Sequence, residues 1–577
     1  MTLAASLFRW ASVPVLLAAA LAFAFATHDT SPPGCGGTTY CYRRIRTHDA
    51  FQPVAQCFSV VNGSFSRVWA TNHPESSSLL REGYVIPGLW DGHGHLGAWG
   101  EFLHSVDLFN SPSLDEVRSR LKIFLAKNPD AGTKDLWLRG TGWDQDRYGR
   151  MPTAKDLSDD ETLKGKFILL DRNDGHCIWV SQPVLDLLPK NMTDVPGGEI
   201  IRDPGPGVFC DNAMDPAYAL LPATSDEVKA RQIRDAMQDL NRVGLVGVHD
   251  ASTPPDDVKL YNKLADGDDW TVRVYSMLEC EDRNQFCPNA TGKIARSDSR
   301  FWVQSVKLFA DGALGSWGSA LLEPYSDHTN KTGSLLVNAT TMTNLTRAWA
   351  LAGYQVNVHA IGDLANREVI NAFTAGLQAV CPEAGDNSEA LRVCQTKHRF
   401  RIEHSQIVHP ADQIRMHQIG LIPSIQPTHP TDDMRFALER LGPFRTDVEA
   451  YRMQSFWDIA PILGSDFPVE PPNPFQGIYA AVTRKSPTTG KGFNGSDEGW
   501  HADQALTFDQ AMWGFTGATA YAAFLDGKAG IIKGGAFADW VVLDKPIEEI
   551  PIEDFRNLTV KETWVAGRRV YPVEPRA

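Results

Sequence analysis

Two histidines with one residue between them, His93 and His95, follow a short apolar run that begins at residue 84. In an extended segment, side chains two positions apart lie on the same side, so both imidazoles can bind one metal ion. A lone histidine is usually a packed or surface residue, but several histidines at strand ends together with an aspartate indicate a metal site. The further candidates, each close behind another apolar run, are His359, His404 and Asp466.

A lysine interrupts the apolar run at residues 303–309. The alternation of side chains along a strand points this residue, Lys307, toward the interior of the protein. A buried lysine is unfavourable unless its charge is paired or the amine is chemically altered. Lys307 is therefore a further candidate for the same site.

The elements that would position these residues are eight short apolar runs, most of them separated by stretches long enough for a helix. Eight strands close a (β/α) barrel, and active sites in such barrels lie at the carboxyl ends of the strands. The sequence therefore predicts an α/β fold with a TIM-type (β/α)8 barrel. The runs are residues 84–89, 245–248, 271–277, 303–309, 355–358, 400–402, 421–425 and 459–463.

The spacing of these runs predicts the domain organisation. The barrel would span residues 84–524, and the long gap after the first run predicts an inserted subdomain at about residues 104–225. β-rich segments at residues 51–83 and 525–577 would combine into a small β-sandwich built from both chain ends. Residues 28–50, rich in proline and glycine near their start, are interpreted as a linker.

The first 27 residues have the pattern of a targeting segment. Arg9 precedes an uncharged run at residues 10–27, and Ala24-Phe25-Ala26 offers a small-residue cleavage site. We predict a cleaved signal peptide, with an uncleaved signal anchor as the alternative, in which case the chain would contact a membrane there. Eight Asn-x-Ser/Thr sequons agree with a secreted glycoprotein. They begin at Asn62, Asn191, Asn289, Asn330, Asn338, Asn344, Asn494 and Asn557.

The nine cysteines also fit an oxidising compartment. Cys280 with Cys287, and Cys381 with Cys394, lie close together in polar, loop-like segments and are expected to form disulfides. Cys177 and Cys210 are interpreted as small buried hydrophobic residues without a catalytic role. Because the number of cysteines is odd, at least one thiol is left over.

Several separated motifs in this order resemble the amidohydrolase superfamily, and within it amidohydrolase family 3, the group of N-substituted formamide deformylase. The resemblance extends from about residue 55 to the C-terminus. It depends on Pro87-Gly88-Leu89-Trp90-Asp91-Gly92-His93-Gly94-His95, Gly142-Trp143-Asp144, Asp174-Gly175-His176, and residues 307–316, 358–363, 402–406, 464–468 and 535–544.

The resemblance implies roles for the candidate residues. His93, His95 and Asp466 would bind the more buried metal, and His359 and His404 a second one. Lys307 stands where relatives can have a carboxylated lysine that bridges two metals. The expected cofactor is one or two Zn²⁺ ions, with another divalent metal left open. The insertion would act as a lid whose candidate substrate contacts are Trp143, Asp144, His176 and Arg202.

The function that follows is hydrolysis of an amide, formamide or related C–N bond of a small molecule by a metal-activated water. Asp466 would accept the proton of that water and return it to the leaving amine, and Lys307 is the second catalytic candidate. Esters or lactones remain alternative substrates, and a non-catalytic extracellular binding protein is an alternative of another class. The question of a homodimer stays open.

Charge and residue types argue against two other classes of protein. A net charge of -15 and a pI of about 5.5 argue against a nucleic-acid binder, which needs a basic face. A glycoside hydrolase would need paired carboxylic acids without clustered histidines. Glu403 is the one obvious acid of that sort, and its neighbour His404 suits a metal better.

Overall fold

A computed structural model describes residues 37–70, 80–459 and 461–573. The predicted signal segment and Cys35 lie outside the described residues. Within the described part, no helix is both long and apolar enough to cross a membrane. The strands are β1 Thr38–Arg46, β2 Val54–Val61, β3 Ser64–Trp69, β4 Leu80–Pro87, β5 Leu89–Gly94, β6 Val106–Asp107, β7 Leu138–Trp143, β8 Ile168–Arg172, β9 Cys177–Val180, β10 Gly198–Ile201, β11 Val208–Asp211, β12 Leu245–Thr253, β13 Arg273–Leu278, β14 Ile294–Ala295, β15 Phe301–Phe309, β16 Gln355–Ala360, β17 Arg401–His404, β18 Ile422–Ile425, β19 Ile462–Leu463, β20 Trp540–Leu543, β21 Glu562–Val565 and β22 Arg568–Tyr571.

The helices follow the strands in the alternation expected of an α/β fold. A typical one spans 226–242: Ser225 caps its first turn by accepting from the Val228 N–H, and an apolar stripe that includes Ile233 and Leu240 is buried. The helices are α1 Leu96–Leu103, α2 Leu114–Lys127, α3 Gln145–Tyr148, α4 Ala154–Ser158, α5 Gln182–Leu185, α6 Asp215–Tyr218, α7 Asp226–Arg242, α8 Pro255–Leu264, α9 Ala339–Leu351, α10 Asp363–Val380, α11 Ser388–His398, α12 Pro410–Ile419, α13 His429–Val448, α14 Pro474–Thr483, α15 Phe508–Gly514 and α16 Gly517–Ala522.

Eight parallel strands form the central barrel, in the order β5, β12, β13, β15, β16, β17, β18 and β19. Just beyond the ends of β19 and β5, the Asp466 N–H donates to the His93 carbonyl at 2.7 Å and the His95 N–H donates to the Phe467 carbonyl at 2.9 Å. These bonds join the last strand region to the first. The TIM-type barrel predicted from the eight apolar runs is confirmed.

The first of those runs is divided between two sheets, which corrects its assignment to the barrel. Residues 84–87 belong to β4, which pairs with β1 and β20, whereas the first barrel strand is β5. The chain passes from one sheet to the other at Gly88, where an added Cβ would come within 2.4 Å of the Val246 side chain. The hydrophobic pattern of the sequence does not show the boundary between β4 and β5, because the adjoining parts of both strands are buried and form one continuous apolar run.

Both chain ends build one seven-stranded sheet, in the order β22, β21, β20, β4, β1, β2 and β3. The rings of Phe58 on β2 and Trp540 on β20 lie 4.9 Å apart, although two strands separate β2 from β20. In a flat sheet that separation would be about 14 Å. The sheet therefore curls around an aromatic core.

The linker predicted at residues 28–50 is wrong for its second half, since β1 occupies residues 38–46. Tyr40 and Tyr42 are buried in the core of the composite sheet, and a disulfide joins Cys41 to Cys57 on the neighbouring strand β2. The prolines and glycines that are typical of a linker all lie before residue 38 in this segment. The strand and its buried side chains begin only after these residues.

The insertion after β5 carries its own six-stranded sheet, β6 to β11, within the predicted range of about residues 104–225. A disulfide between Cys177 on β9 and Cys210 on β11 corrects their interpretation as free buried residues. The two residues stand directly opposite each other on paired antiparallel strands, which spacing along the chain does not reveal. The predicted disulfides Cys280–Cys287 and Cys381–Cys394 are both present.

Candidate active site

Three of the candidate residues meet where the first and last barrel strands end. His93 lies in β5, His95 precedes helix α1, and Asp466 follows β19 by three residues. Asp466 Oδ1 is 3.0 Å from His95 Nε2 and 3.4 Å from His93 Nε2. The three ligand atoms lie within 4.8 Å of one another, so one small cation could contact all of them.

A second group shares the same carboxylate and includes a histidine that sequence reasoning missed. His404, His429 and Asp466 offer ligand atoms that also lie within 4.8 Å of one another. His429 Nε2 is 3.8 Å from Asp466 Oδ2, and the His429 ring stacks on that of His404 with centroids 5.8 Å apart. His429 begins helix α13, four residues after β18, and a search confined to strand ends passes over it.

His359 lies beside these two groups without joining either. Its ring centroid is 4.4 Å from that of His404 and 5.0 Å from that of His176. Its Nδ1 is 3.2 Å from Asp311 Oδ1. The site therefore extends from the paired histidines of β5 toward the insertion, which contributes His176.

Lys307 is buried as predicted, with 2% of its surface exposed. Its amine donates to the Ala251 carbonyl at 3.1 Å and lies 4.6 Å from the centre of the Phe309 ring. In the described part of the chain it forms no ion pair, and burial lowers the pKa of its amine. The structure thus leaves the charge of Lys307 without a carboxylate partner.

The surroundings favour the protonation states that bind metals. Burial, helped by the Lys307 charge, lowers the pKa of His93 to about 4, and burial holds the pKa values of His359 and His404 well below the usual range. Burial opposes ionisation of Asp466, yet its interactions with His93 and His404 and the hydrogen bond with His95 hold its pKa well below the ordinary value. Neutral imidazoles thus face an anionic carboxylate at neutral pH.

Several buried nitrogens at the site have no hydrogen-bond partner among the residues that the structure describes. His93 Nε2, His429 Nε2 and His359 Nε2 are among them. Unpartnered buried polar atoms are rare in folded proteins, and one ordinary explanation is a bound ion. Imidazole and carboxylate groups are the ligands that Zn²⁺ takes in catalytic sites, so the residues present fit a divalent metal.

A buried charge network fixes the orientation of His93. Its Nδ1 is 2.5 Å from Glu403 Oε2, which also accepts from Arg401 Nη2 at 2.9 Å. The same Arg401 nitrogen donates to the Gly92 carbonyl at 2.8 Å. We assign the proton of His93 to Nδ1, because the carboxylate accepts there, and this leaves Nε2 free to bind a cation.

The loop that carries Asp466 is held tightly against β5. The Asp91 carboxylate accepts from the Ser465 hydroxyl at 2.7 Å and from the His93 N–H at 2.9 Å. A Cβ at Gly464 would lie 2.4 Å from the His93 nitrogen. Asp466 itself has φ +62° and His404 has φ +74°, a region that costs non-glycine residues energy and is concentrated at functional sites.

Gln426 positions His404 through one hydrogen bond, its Oε1 lying 2.9 Å from His404 Nδ1. We expect Gln426→Leu to weaken Zn²⁺ binding about 10- to 100-fold, because the imidazole loses the acceptor that holds its orientation. Competition with a chromophoric chelator measures this affinity. Gln426→Glu retains the acceptor and is expected to bind zinc as the wild type does. Equal affinities in the Leu variant and the wild type would show that Gln426 has no such role.

The four predicted substrate contacts fall into two groups. Asp144 and His176 line the cavity above the histidines, held by ion pairs with Arg435 at 2.8 Å and with Asp211 at 2.8 Å. Trp143 and Arg202 lie elsewhere: the Trp143 indole is fully buried in the core of the insertion and donates to the Leu170 carbonyl. Arg202 is half-exposed and pairs with Asp194 on the insertion surface.

Two cavities meet at the histidines. The outer chamber, about 470 Å³, extends toward helix α13 and includes Asp432, Asp433 and Glu470 in its walls. The inner chamber, about 400 Å³, extends beneath the insertion, past Met214 and Leu221. Both chambers are bounded by His176, His359, His404 and Asp466. A reacting bond at Asp466 thus has open space on two sides.

The chain is similar in sequence and in fold to known amidohydrolase-family proteins. A model of the amidohydrolase family matches residues 80–571. The protein LONG AFTER FAR-RED 3 of Arabidopsis thaliana is 28% identical over 557 residues, covering 92% of this chain and 90% of its own length. The N-substituted formamide deformylase of Arthrobacter pascens is 23% identical, covering 91% and 96%. A crystal structure of a metal-dependent hydrolase from Pyrococcus horikoshii superposes with a TM-score of 0.69 at 21% identity, covering 89% of this chain and 99% of that one, and so shares its fold.

Proposed function

Since the chain belongs to the amidohydrolase family, we propose that it is a metal-dependent hydrolase that cleaves an amide, formamide or related C–N bond of a small molecule. The observation that carries the proposal is the convergence of His93, His95, His404, His429 and Asp466 in one buried cluster. Buried nitrogens in that cluster have no partner within the described residues. Metal-dependent hydrolysis requires such a donor set.

His93, His95 and Asp466 would hold one Zn²⁺ ion, and His404 and His429 with the other oxygen of Asp466 would hold a second. The His359 ring lies 4.4 Å from that of His404, centroid to centroid, and would be a further candidate ligand. Carboxylation of Lys307 would turn its unpaired ammonium into an anionic ligand and remove the cost of burying it. A divalent cation bound here lowers the pKa of water and polarises a carbonyl.

The chain's own residues would move the proton. Asp466, kept anionic by its histidine neighbours, is placed to accept a proton from the attacking water at a carboxylate oxygen. It would then return that proton to the nitrogen of the leaving amine. Glu403 and Gln426 keep His93 and His404 in one orientation throughout, so the site needs little reorganisation during the reaction.

The purified full chain, with its metal content measured, can be screened with N-formyl and N-acyl amines and with matched esters and lactones. We expect turnover of at least one amide class in the zinc-loaded protein. Hydrolysis of esters or lactones alone would favour the esterase alternative. A protein that holds zinc stoichiometrically yet turns over none of these compounds would favour the non-catalytic binding protein.

We also propose that the protein is secreted and glycosylated, with an anchored form as the alternative. Four disulfides within the described residues suit an oxidising compartment. The asparagine of each of the eight sequons is exposed, which an acceptor must be. Asn338 caps helix α9 through its Oδ1, and this leaves its amide nitrogen available.

Expression through a eukaryotic secretory pathway is expected to give a protein heavier than the sequence predicts, and an N-glycosidase should reduce that mass. Peptide mapping would then show which of the eight asparagines carried glycans. The same chain expressed without its first 27 residues in a cytosol serves as the unglycosylated control. A secreted product whose mass is unchanged by the glycosidase would rule out this modification.

A further inference from the structure

The two chambers differ in the chemistry of their walls. In the inner chamber, apolar side chains of Phe102, Met214, Leu221 and Phe309 form much of the wall. The charges nearest to them are largely neutralised by each other, since Arg139 pairs with Glu101 and with Asp171, both at 2.7 Å. A largely apolar wall of this kind favours binding of an apolar ligand group, because that group is transferred from water into the chamber.

The outer chamber carries an excess of carboxylates. Asp144, which lines it, pairs with Arg435. Within the described part of the chain, the hydrogen-bond donors to Asp433 are both neutral, Tyr451 Oη at 2.7 Å and Gln406 Nε2 at 2.9 Å. Glu470 forms no hydrogen bond or ion pair within the described residues. Burial and its acidic neighbours raise the pKa of Glu470 well above the ordinary value. A cation entering this chamber would favour the ionised form of Glu470 and offset its repulsion with the neighbouring carboxylates.

The two products of amide hydrolysis differ in charge, and this difference matches the two chambers. Hydrolysis forms the C–O bond of a carboxylic acid, breaks the C–N bond and transfers a proton of water to the amine. The released amine is a cation at neutral pH and the acyl part is not. The carboxylate-rich chamber therefore suits the amine, and the apolar chamber suits the acyl chain.

Resting on the proposed amide hydrolysis, we propose that the substrate is an N-acyl amine with groups of substantial size on both sides of the scissile bond. An apolar acyl chain fills the inner chamber beneath the insertion. A polar, positively charged amine part lies in the outer chamber beside Asp433 and Glu470. A formyl group would leave the inner chamber, about 400 Å³, unfilled.

The test uses zinc-loaded full-length protein and one diamine, 1,4-diaminobutane, acylated on one nitrogen with formyl, acetyl, butanoyl, hexanoyl or octanoyl groups. We expect kcat/KM to rise about fourfold with each buried methylene until the chamber is full. The octanoyl amide of butylamine, which lacks the terminal ammonium group, should react about tenfold more slowly than the diamine compound. A kcat/KM that is flat or falls with acyl length overturns the inner-chamber assignment, and equal rates with the two amines overturn the outer one.

Two neighbouring leucines offer a matched pair of variants. Leu221 lines the inner chamber, whereas Leu220 is 37% exposed and lies outside it. Leu221→Trp should reduce kcat/KM for the octanoyl amide at least about 30-fold and change that of the formyl amide less than about threefold. Leu220→Trp should leave both unchanged. Leu221→Ala, which enlarges the chamber, should move the optimum to a longer chain. Equal losses for both amides in Leu221→Trp would contradict the assignment.

Binding of octanoate, measured by calorimetry with the zinc-loaded protein, separates failure of the substrate class from failure of the hydrolase proposal. If no amide is hydrolysed but octanoate binds and Leu221→Trp weakens it, the chamber assignment stands without the proposed reaction. If amides are hydrolysed but octanoate binds no better than acetate, the reaction stands and the chamber assignment fails.

Discussion

Asp466→Asn is expected to reduce kcat/KM about 10³-fold or more while the fold is retained, because both groups of ligand atoms share this carboxylate. Asparagine has nearly the same shape and tolerates the positive φ that residue 466 adopts. The backbone bond from residue 466 to the His93 carbonyl would persist. Zinc content and activity should therefore fall together, with a melting temperature close to that of the metal-free wild-type protein. His93→Ala is expected to have the same effect on turnover.

Asp458→Asn is the matched control, since Asp458 is exposed at the end of the turn before β19. It should leave zinc content and turnover unchanged. An Asp466→Asn enzyme with more than about a tenth of the wild-type kcat/KM would show that this carboxylate is not needed to bind the metal or to transfer the proton.

Removal of bound metal is expected to abolish activity and to destabilise the barrel. A chelator such as 1,10-phenanthroline would leave several buried imidazole nitrogens without any partner, as the unpartnered atoms of His93, His359 and His429 indicate. Ligand binding stabilises the folded state by RT ln(1 + [L]/Kd), so the melting temperature should fall by several degrees. Addition of Zn²⁺ should restore both properties.

Adding bicarbonate during reactivation tests the carboxylation of Lys307 separately. If the lysine must be carboxylated, reactivation should be faster with bicarbonate, whereas an unmodified amine would make it indifferent to bicarbonate. A non-chelating isomer, 1,7-phenanthroline, serves as the control for non-specific inhibition. Full activity at undetectable metal content would refute metal-dependent hydrolysis.

The residues at strand ends were accessible from sequence because an apolar run marks each strand and the barrel dictates where the strands point. His93, His404 and Asp466 were found in this way, and the structure brings them together. His429 was not, because it belongs to a helix start whose approach to Asp466 depends on the fold of the loop after β18.

Other features required pairings that no local pattern encodes. The disulfide of Cys177 depends on which strands of the insertion lie side by side. Trp143 and Asp144 are consecutive residues. The Trp143 side chain points into the core of the insertion, whereas Asp144 faces the cavity. Successive side chains in an extended segment point in opposite directions, so a motif alone leaves open which of two neighbours meets a ligand.

The pairing of β20 with β4 ties the end of the chain to the strand that leads directly into β5 and His93. Ribosomes deliver the N-terminal part first, so β4 waits for its partner until nearly all of the polypeptide has emerged. Asp539, beside β20, also holds Arg273 of the barrel at 2.7 Å. A translation product that stops before residue 539 would therefore lack both the strand that pairs with β4 and the carboxylate that pairs with Arg273, so the segment leading into its first barrel strand would remain incompletely held.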